Sequence, residues 1–150
     1  MAENTIILLV EDNPDDVLLM WRALKKNNVR NEVVVAADGA EALDFHFGTG
    51  KYAGRDLAAG PVVTILDLKL PKISGLEVLK RLRQDPRTAC SPVIVLTTSK
   101  EESDMIESYR SGANAFVRKP VDFGQFHKAV KHLGLFWLLW NEVPPAQIKK

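Results

Sequence analysis

The sequence predicts an α/β fold: a doubly wound, mostly parallel five-stranded sheet with helices on both faces. Three observations carry this. Short apolar runs alternate five times with segments of helical period. Capping residues stand at most strand-to-helix transitions. The strand runs are continuously apolar rather than alternating, as expected for strands buried on both faces.

Ile6-Ile7-Leu8-Leu9-Val10 is the first strand. Asn13 can cap the next helix and Pro14 suits its first position, after which Val17, Met20 or Trp21, and Leu24 recur at helical spacing. Glu32 to Ala36, with three consecutive valines, reads as the second strand, and Asp38 with Glu41 forms a capping-box pattern before Leu43 and Phe47. Residues 48 to 61 contain Gly48, Gly50, Gly54, Gly60 and Pro61 and read as a long surface excursion. Val62 to Leu66 is the third strand, and Ser74 with Glu77 precedes a helix carrying Leu79 and Leu82. Val93 to Leu96 is the fourth strand, and Ser99 with Glu102 opens a helix with Ile106 and Tyr109 on one stripe. Ala115-Phe116-Val117 is the fifth strand, and Asp122 with Gln125 opens the fifth helix, with Phe126, Val130 and Leu133 on its apolar stripe.

The chain has 150 residues, enough for one domain and no second core. It carries 20 Lys plus Arg and 19 Asp plus Glu, a balance that gives no electrostatic footprint for nucleic acid. Its one cysteine, Cys90, rules out a disulfide within the chain. Met1 to Asn4 lack the basic segment of a signal peptide, and the late apolar run Leu135 to Trp140 is far shorter than the ~20 residues that span a bilayer. The expectation is a soluble cytoplasmic protein with no membrane partner.

Ligands of open α/β sheets bind beyond the carboxyl ends of the strands. Glu11 and Asp12 follow the first strand and Asp67 follows the third, so neighbouring strands bring three carboxylates together. Such a cluster repels itself when ionised, and a hard divalent cation offsets that repulsion. Mg²⁺ suits oxygen ligands and keeps several waters; His46, His127 and His132 lie away from this edge, which disfavours Zn²⁺. Thr97 and Thr98 end the fourth strand, and Lys119 lies just past the fifth. Metal, hydroxyl and ammonium together neutralise a transferring phosphoryl group, with Asp67 as its nucleophile. No G-x-x-x-x-G-K-S/T or G-x-G-x-x-G loop competes with this reading.

These residues resemble the response-regulator receiver (CheY-like) family. The resemblance rests on Ile7 to Asn13, Leu66-Asp67-Leu68-Lys69-Leu70-Pro71, Gly75, Val95-Leu96-Thr97 and Lys119-Pro120, and covers residues 5 to about 133. It implies a flavodoxin-like sheet in the order 2-1-3-4-5, with a receiver domain over 1–134 and an extension over 135–150 as an interface element. It implies that Asp67 accepts phosphoryl from a sensor histidine kinase. Mg²⁺ would be held by Glu11, Asp12, Asp67 and the backbone carbonyl of Lys69. Thr97 and Lys119 would contact the phosphoryl group, Lys119 pairing first with Asp67. Thr97 and Phe116 would form the switch, and the Lys119–Pro120 bond would be cis. The finer resemblance, through Val10 to Pro14, Leu96 to Ser99, Lys119 to Phe123 and Phe136 to Leu139, is to single-domain regulators of bacterial and cyanobacterial phytochrome kinases. That implies a bacteriophytochrome-like kinase and a downstream phosphotransfer protein as partners.

Three residues depart from the common pattern: Glu11 stands where many receivers have Asp, Phe116 replaces the commoner Tyr, and Lys69 replaces a smaller or neutral side chain. Two other functions compete. A haloacid-dehalogenase-like phosphohydrolase also uses a strand-end Asp, but Lys69 stands where its second carboxylate belongs. A receiver-fold scaffold independent of phosphorylation would not need the intact acid, threonine and lysine set.

The aromatic run after the fifth helix, with Phe136, Trp137 and Trp140, is expected to pair two copies of the chain, since exposed apolar patches mark partner sites. Similar regulators form two-fold dimers through the fourth helix, fifth strand and fifth helix, the neighbourhood of Tyr109 and Phe116. The competing expectation is that the run folds back over its own domain.

Overall fold

The computed structural model describes residues 6–140. Strands β1 (Ile7–Val10), β2 (Val33–Ala36), β3 (Val63–Leu66), β4 (Val93–Thr97) and β5 (Ala115–Arg118) pair in parallel in the order β2-β1-β3-β4-β5. Helices α1 (Pro14–Lys26), α2 (Gly39–Phe47), α3 (Gly75–Gln84), α4 (Glu102–Arg110) and α5 (Phe123–His132) connect or follow the strands, and a short α6 (Phe136–Leu139) comes last. The sheet is covered on both faces, so β1, β3 and β4 are buried along their whole length. That is why their sequences are continuous apolar runs.

Successive side chains of a strand point to opposite faces. Ile7, Leu9, Ile65, Ile94 and Leu96 therefore pack with Met20 and Leu24 of α1 and Phe126 and Val130 of α5. Leu8, Val10, Leu66, Val93 and Val95 pack with Leu43, Leu79, Leu82 and Phe116 on the other side. Met20 faces the core, whereas Trp21 stays exposed with the Lys25 ammonium 5.8 Å from its ring. The register places Val10 beside Leu66, so the residues that follow these two strands emerge side by side.

The caps follow local chemistry. Asn13 Oδ1 accepts from the Asp15 and Asp16 amides, with Pro14 at the first helical position. Asp38 accepts from the Glu41 amide, and Glu41 reaches back to the Ala37 amide. Ser74 accepts from the Glu77 amide, but Glu77 turns to Arg81 instead of closing a capping box. Asp122 caps α5 through the Gly124 and Gln125 amides.

Two sequence expectations need correction. Ser99 does not cap α4: the helix starts after Glu101, while the Ser99 hydroxyl donates to Asp104 at 2.5 Å and accepts from the Glu101 amide. Ile106 and Tyr109 form no core stripe; they are 45% and 48% exposed. The helix lies over β5 at the end of the sheet, and Met105 and Ser108 supply its inward side. The long connection is not featureless either. It contains two 3-10 turns, Gly50–Tyr52 and Leu57–Ala59, and Arg55 folds over it. The guanidinium sits 3.9 Å from the Phe45 ring and donates to the carbonyls of Phe45 and Gly60.

The end of the described chain divides its apolar residues between two sides. Leu135 and Leu139 are buried in the α1–α5 core. His127 lies between Phe136 and Trp140, with ring centroids 5.3 and 4.7 Å away, and Trp140 also meets Phe126. Trp137 and Leu138 face outward, Trp137 with 66% of its surface exposed. The fold-back therefore takes up Leu135, Leu139 and Trp140. Residues 1–5 and 141–150, including Pro144 and Pro145, lie outside the described residues, so the expected 135–150 element is described only in part.

The amino edge of the sheet holds a buried histidine. His46 Nε2 lies 3.0 Å from the Thr64 hydroxyl. Burial, with Arg55 and Arg83 nearby, lowers its pKa to about 4. The native ring is thus neutral where an unfolded histidine begins to protonate, near pH 6.5. The stability this gives is complete above pH 6.5 and is lost as pH falls towards 4. Between pH 7 and 4, urea melts of the wild type should lose about 3 kcal/mol more than those of His46→Gln; parallel losses would contradict the assignment.

Candidate functional site

The carboxyl edge of the sheet is built by β1, β3, β4 and β5. The Asp67 amide donates to the Val10 carbonyl and the Glu11 amide to the Ala36 carbonyl. These ladder bonds bring the two acids out together. One oxygen from each of Glu11, Asp12 and Asp67 falls within 4.8 Å of the others. Glu11 and Asp67 are buried and Asp12 is exposed. Three carboxylates presenting only oxygen make a donor set that fits a hard divalent cation.

Lys119 reaches this cluster from the residue after β5. Its amide donates to the Thr97 carbonyl at 2.8 Å, which fixes its backbone against β4, and the Lys119–Pro120 peptide is cis. Its Nζ donates to Glu11 at 2.5 Å, to Asp16 at 3.1 Å and to Asp67 at 3.4 Å. The ammonium thus meets Glu11 more closely than Asp67. Burial alone would lower the lysine pKa, but Glu11, Asp67 and Asp16 together outweigh it and hold the ammonium above its ordinary range. Burial also raises the Glu11 pKa; the Asp67 charge adds to that, and Lys119 and the Asn13 amide oppose it.

Asp16 is the member that the sequence did not single out. It sits in the first turn of α1, where an acidic residue reads as a partner of the helix dipole. Its placement beside Lys119 depends on the contact between α1 and the segment after β5. The only sequence signal is its position one helical turn past Asp12.

Thr97 is fully buried, and its hydroxyl oxygen accepts from the Ser99 amide at 3.2 Å. It makes no hydrogen bond to Asp67 among the described residues. Ser99 continues the chain of contacts to Asp104 on α4, and Arg118 donates to the Ser99 and Lys100 carbonyls. Phe116 is buried in the second core, with the Arg118 guanidinium 5.9 Å from its ring. Lys69 extends its side chain to solvent while its amide donates to Asp67 at 3.4 Å. Tyr109 is exposed on α4.

A β2-β1-β3-β4-β5 sheet with an acid cluster and a lysine at its carboxyl edge defines a receiver-type signalling domain. The model of the response regulator receiver domain matches residues 7–131, and the chain belongs to that family. The response regulator Rcp1 of Synechocystis sp. is 36% identical over 141 residues, 94% of each chain. The structure of the bacteriophytochrome response regulator AtBRR is 52% identical, with a TM-score of 0.81 over 93% of this chain and 99% of that one. The Mn(2+)-bound form of Rcp1 has a TM-score of 0.74 at 36% identity, over 95% of this chain and 99% of that one. The chain is thus a receiver of the two-component response-regulator class, a class that accepts phosphate from sensor histidine kinases. The haloacid-dehalogenase-like alternative is not supported: sheet order and family match are those of a receiver.

The acid cluster also depends on one close backbone approach. The first residue of α3, Gly75, donates its amide to the Leu68 carbonyl. A Cβ there would lie 2.2 Å from the Asp67 carbonyl oxygen. Gly75→Ala should cost about 3 kcal/mol in a denaturant melt, as overpacking against backbone does, and should weaken divalent-cation binding in the same protein. A variant with both properties unchanged would contradict this placement.

Proposed function

We propose that this receiver takes a phosphoryl group on Asp67 from a phytochrome-class sensor histidine kinase, with Mg²⁺ held at Glu11, Asp12 and Asp67. The observation that carries the reading is the acid trio with Lys119 bonded into it. The backbone carbonyl of Lys69 is assigned as a further ligand. When bound, the cation offsets the trio's negative charge and that of the incoming phosphoryl oxygens.

The carboxylate of Asp67 attacks the phosphorus of a phosphohistidine; the P–O bond forms as the P–N bond breaks and the histidine leaves. Lys119 donates to a phosphoryl oxygen on one side. Thr97 donates on the other, since among the described residues its hydroxyl is found only accepting, from the Ser99 amide. Movement of Thr97 towards the phosphoryl group pulls on Ser99, and so on Asp104 and α4. Thr97 and Phe116, both buried beneath this loop, are assigned as the switch. The kinship with the bacteriophytochrome response regulator AtBRR supports a phytochrome kinase as donor, and the downstream step would run through a phosphotransfer protein or another protein partner.

Acetyl phosphate with Mg²⁺ should add one phosphoryl group to the wild type and none to Asp67→Asn, read by intact mass and peptide mapping. Label remaining elsewhere in the variant would defeat the assignment. A kinase bound equally well by both proteins under phosphodonor would favour the scaffold reading.

The outward residues Ile106, Tyr109, Trp137 and Leu138 support a two-fold homodimer through α4, β5, α5 and the extension. Among the described residues no helix is long and apolar enough to cross a membrane, and exposed apolar patches mark partner sites. Removing a large aromatic anchor from an interface costs about 2 kcal/mol or more. Trp137→Ala should therefore weaken dimerisation at least ~30-fold in sedimentation across a concentration series, with Asp67 phosphorylation retained. A wild type that stays monomeric at high concentration in both phosphorylation states would sink the dimer.

A further inference from the structure

Lys119 has three N–H donors, and three carboxylates take them: Glu11, Asp16 and Asp67. Two of the three also belong to the oxygen trio that fits a divalent cation; Asp16 does not. An arriving cation and the ammonium must therefore compete for Glu11 and Asp67. The lysine cannot simply withdraw into water. Its side chain is only 11% exposed, and its backbone is pinned to the Thr97 carbonyl. An ammonium left without an anion in that position would carry a heavy desolvation cost.

Asp16 offers the alternative. Its side chain is about one-third exposed, its amide donates to the Asn13 side chain at the capped start of α1, and its carboxylate is not one of the trio. Lys119 is the one partner found for its carboxylate among the described residues. A carboxylate oxygen accepts more than one hydrogen bond, so Asp16 can take up donors that Glu11 and Asp67 release. We propose that Asp16 is a positioning residue that receives Lys119 when a divalent cation draws Glu11 and Asp67 to itself. Without Asp16, the cation must break a buried ammonium–carboxylate pair and leave the ammonium unpaired. With it, the same loading step leaves Lys119 paired with Asp16 and still near Asp67 for the incoming phosphoryl group.

The inference rests on the reading of Glu11, Asp12 and Asp67 as a cation site, and the test separates the two. Mg²⁺ affinity is measured by calorimetric titration of the full chain, without any phosphodonor. The proteins are wild type, Asp16→Asn, Asp16→Glu, Asp15→Asn, Lys119→Met and the Asp16→Asn/Lys119→Met pair, each checked by thermal melt. Asp16→Asn should weaken Mg²⁺ binding about tenfold, and Asp16→Glu should restore most of it. Asp15→Asn removes an equal charge from the same turn and should change affinity less than twofold. In the Lys119→Met background there is no ammonium to receive, so adding Asp16→Asn should also change affinity less than twofold. Equal tenfold losses in both backgrounds would show that Asp16 acts only as a distant charge and would overturn the proposal. Unchanged affinity in Asp16→Asn would overturn it as well. A wild type that binds no Mg²⁺ would overturn this inference and the cation-site reading together.

Discussion

One ammonium shared by three carboxylates is the constraint on which the carboxyl edge of this protein depends. Glu11, Asp16 and Asp67 come from the ends of β1, the first turn of α1 and the end of β3. Without a cation between them their charges would repel at short range. Lys119 supplies that cation from the far end of the sheet, beyond β5. The cluster therefore joins three pieces of chain that are distant in sequence: residues 11–16, Asp67 and Lys119. In the proposed chemistry a divalent ion and a phosphoryl group would both draw on the same oxygens and the same ammonium.

The contacts around that edge and those at the opposite edge are built differently. Thr97, Ser99, Asp104 and Arg118 form a chain of single hydrogen bonds from the end of β4 to α4. At the amino edge, Arg83 of α3 donates to the carbonyls of Gly112, Thr88 and Ser91 and to the Asn114 side chain. Arg55 similarly pins the long connection to α2 and to Gly60. Multidentate guanidinium contacts of this kind lose several bonds at once when broken, which makes this end of the sheet costly to open. The neutral His46 bonded to Thr64 belongs to the same end.

Much of this was legible in the sequence, for physical reasons that can be named. Strands buried on both faces must be apolar throughout, so Ile7 to Val10, Val62 to Leu66 and Val93 to Leu96 declared themselves. Charged residues directly after such runs have few places to go except the sheet edge, which exposed Glu11, Asp12, Asp67 and Lys119. The resemblance to receivers supplied the strand order and the pairing of these ends. What escaped the sequence depends on tertiary placement. Asp16 reads locally as a dipole partner of α1, and only the packing of α1 beside the segment after β5 turns it towards Lys119. Ile106 and Tyr109 have helical spacing, yet α4 lies over the last strand of the sheet and leaves them outside. In the terminal run the sequence showed an apolar cluster, but only the phase of α6 decides that Leu139 turns in and Trp137 turns out. Ser99 has the chemistry of a cap, but Asp104 competes successfully for its hydroxyl.

The central claim is that Lys119 is fully engaged by carboxylates at rest and is repartnered when the acid trio takes a cation. Nuclear magnetic resonance of the ¹⁵N-lysine side chains, with the Lys119 ammonium assigned by its loss in Lys119→Met, observes this directly. A slowly exchanging Lys119 ammonium signal is expected in the metal-free protein, shifting saturably as Mg²⁺ is added. A Lys119 signal that exchanges as fast as those of exposed lysines, and that stays in place at saturating Mg²⁺, would contradict it.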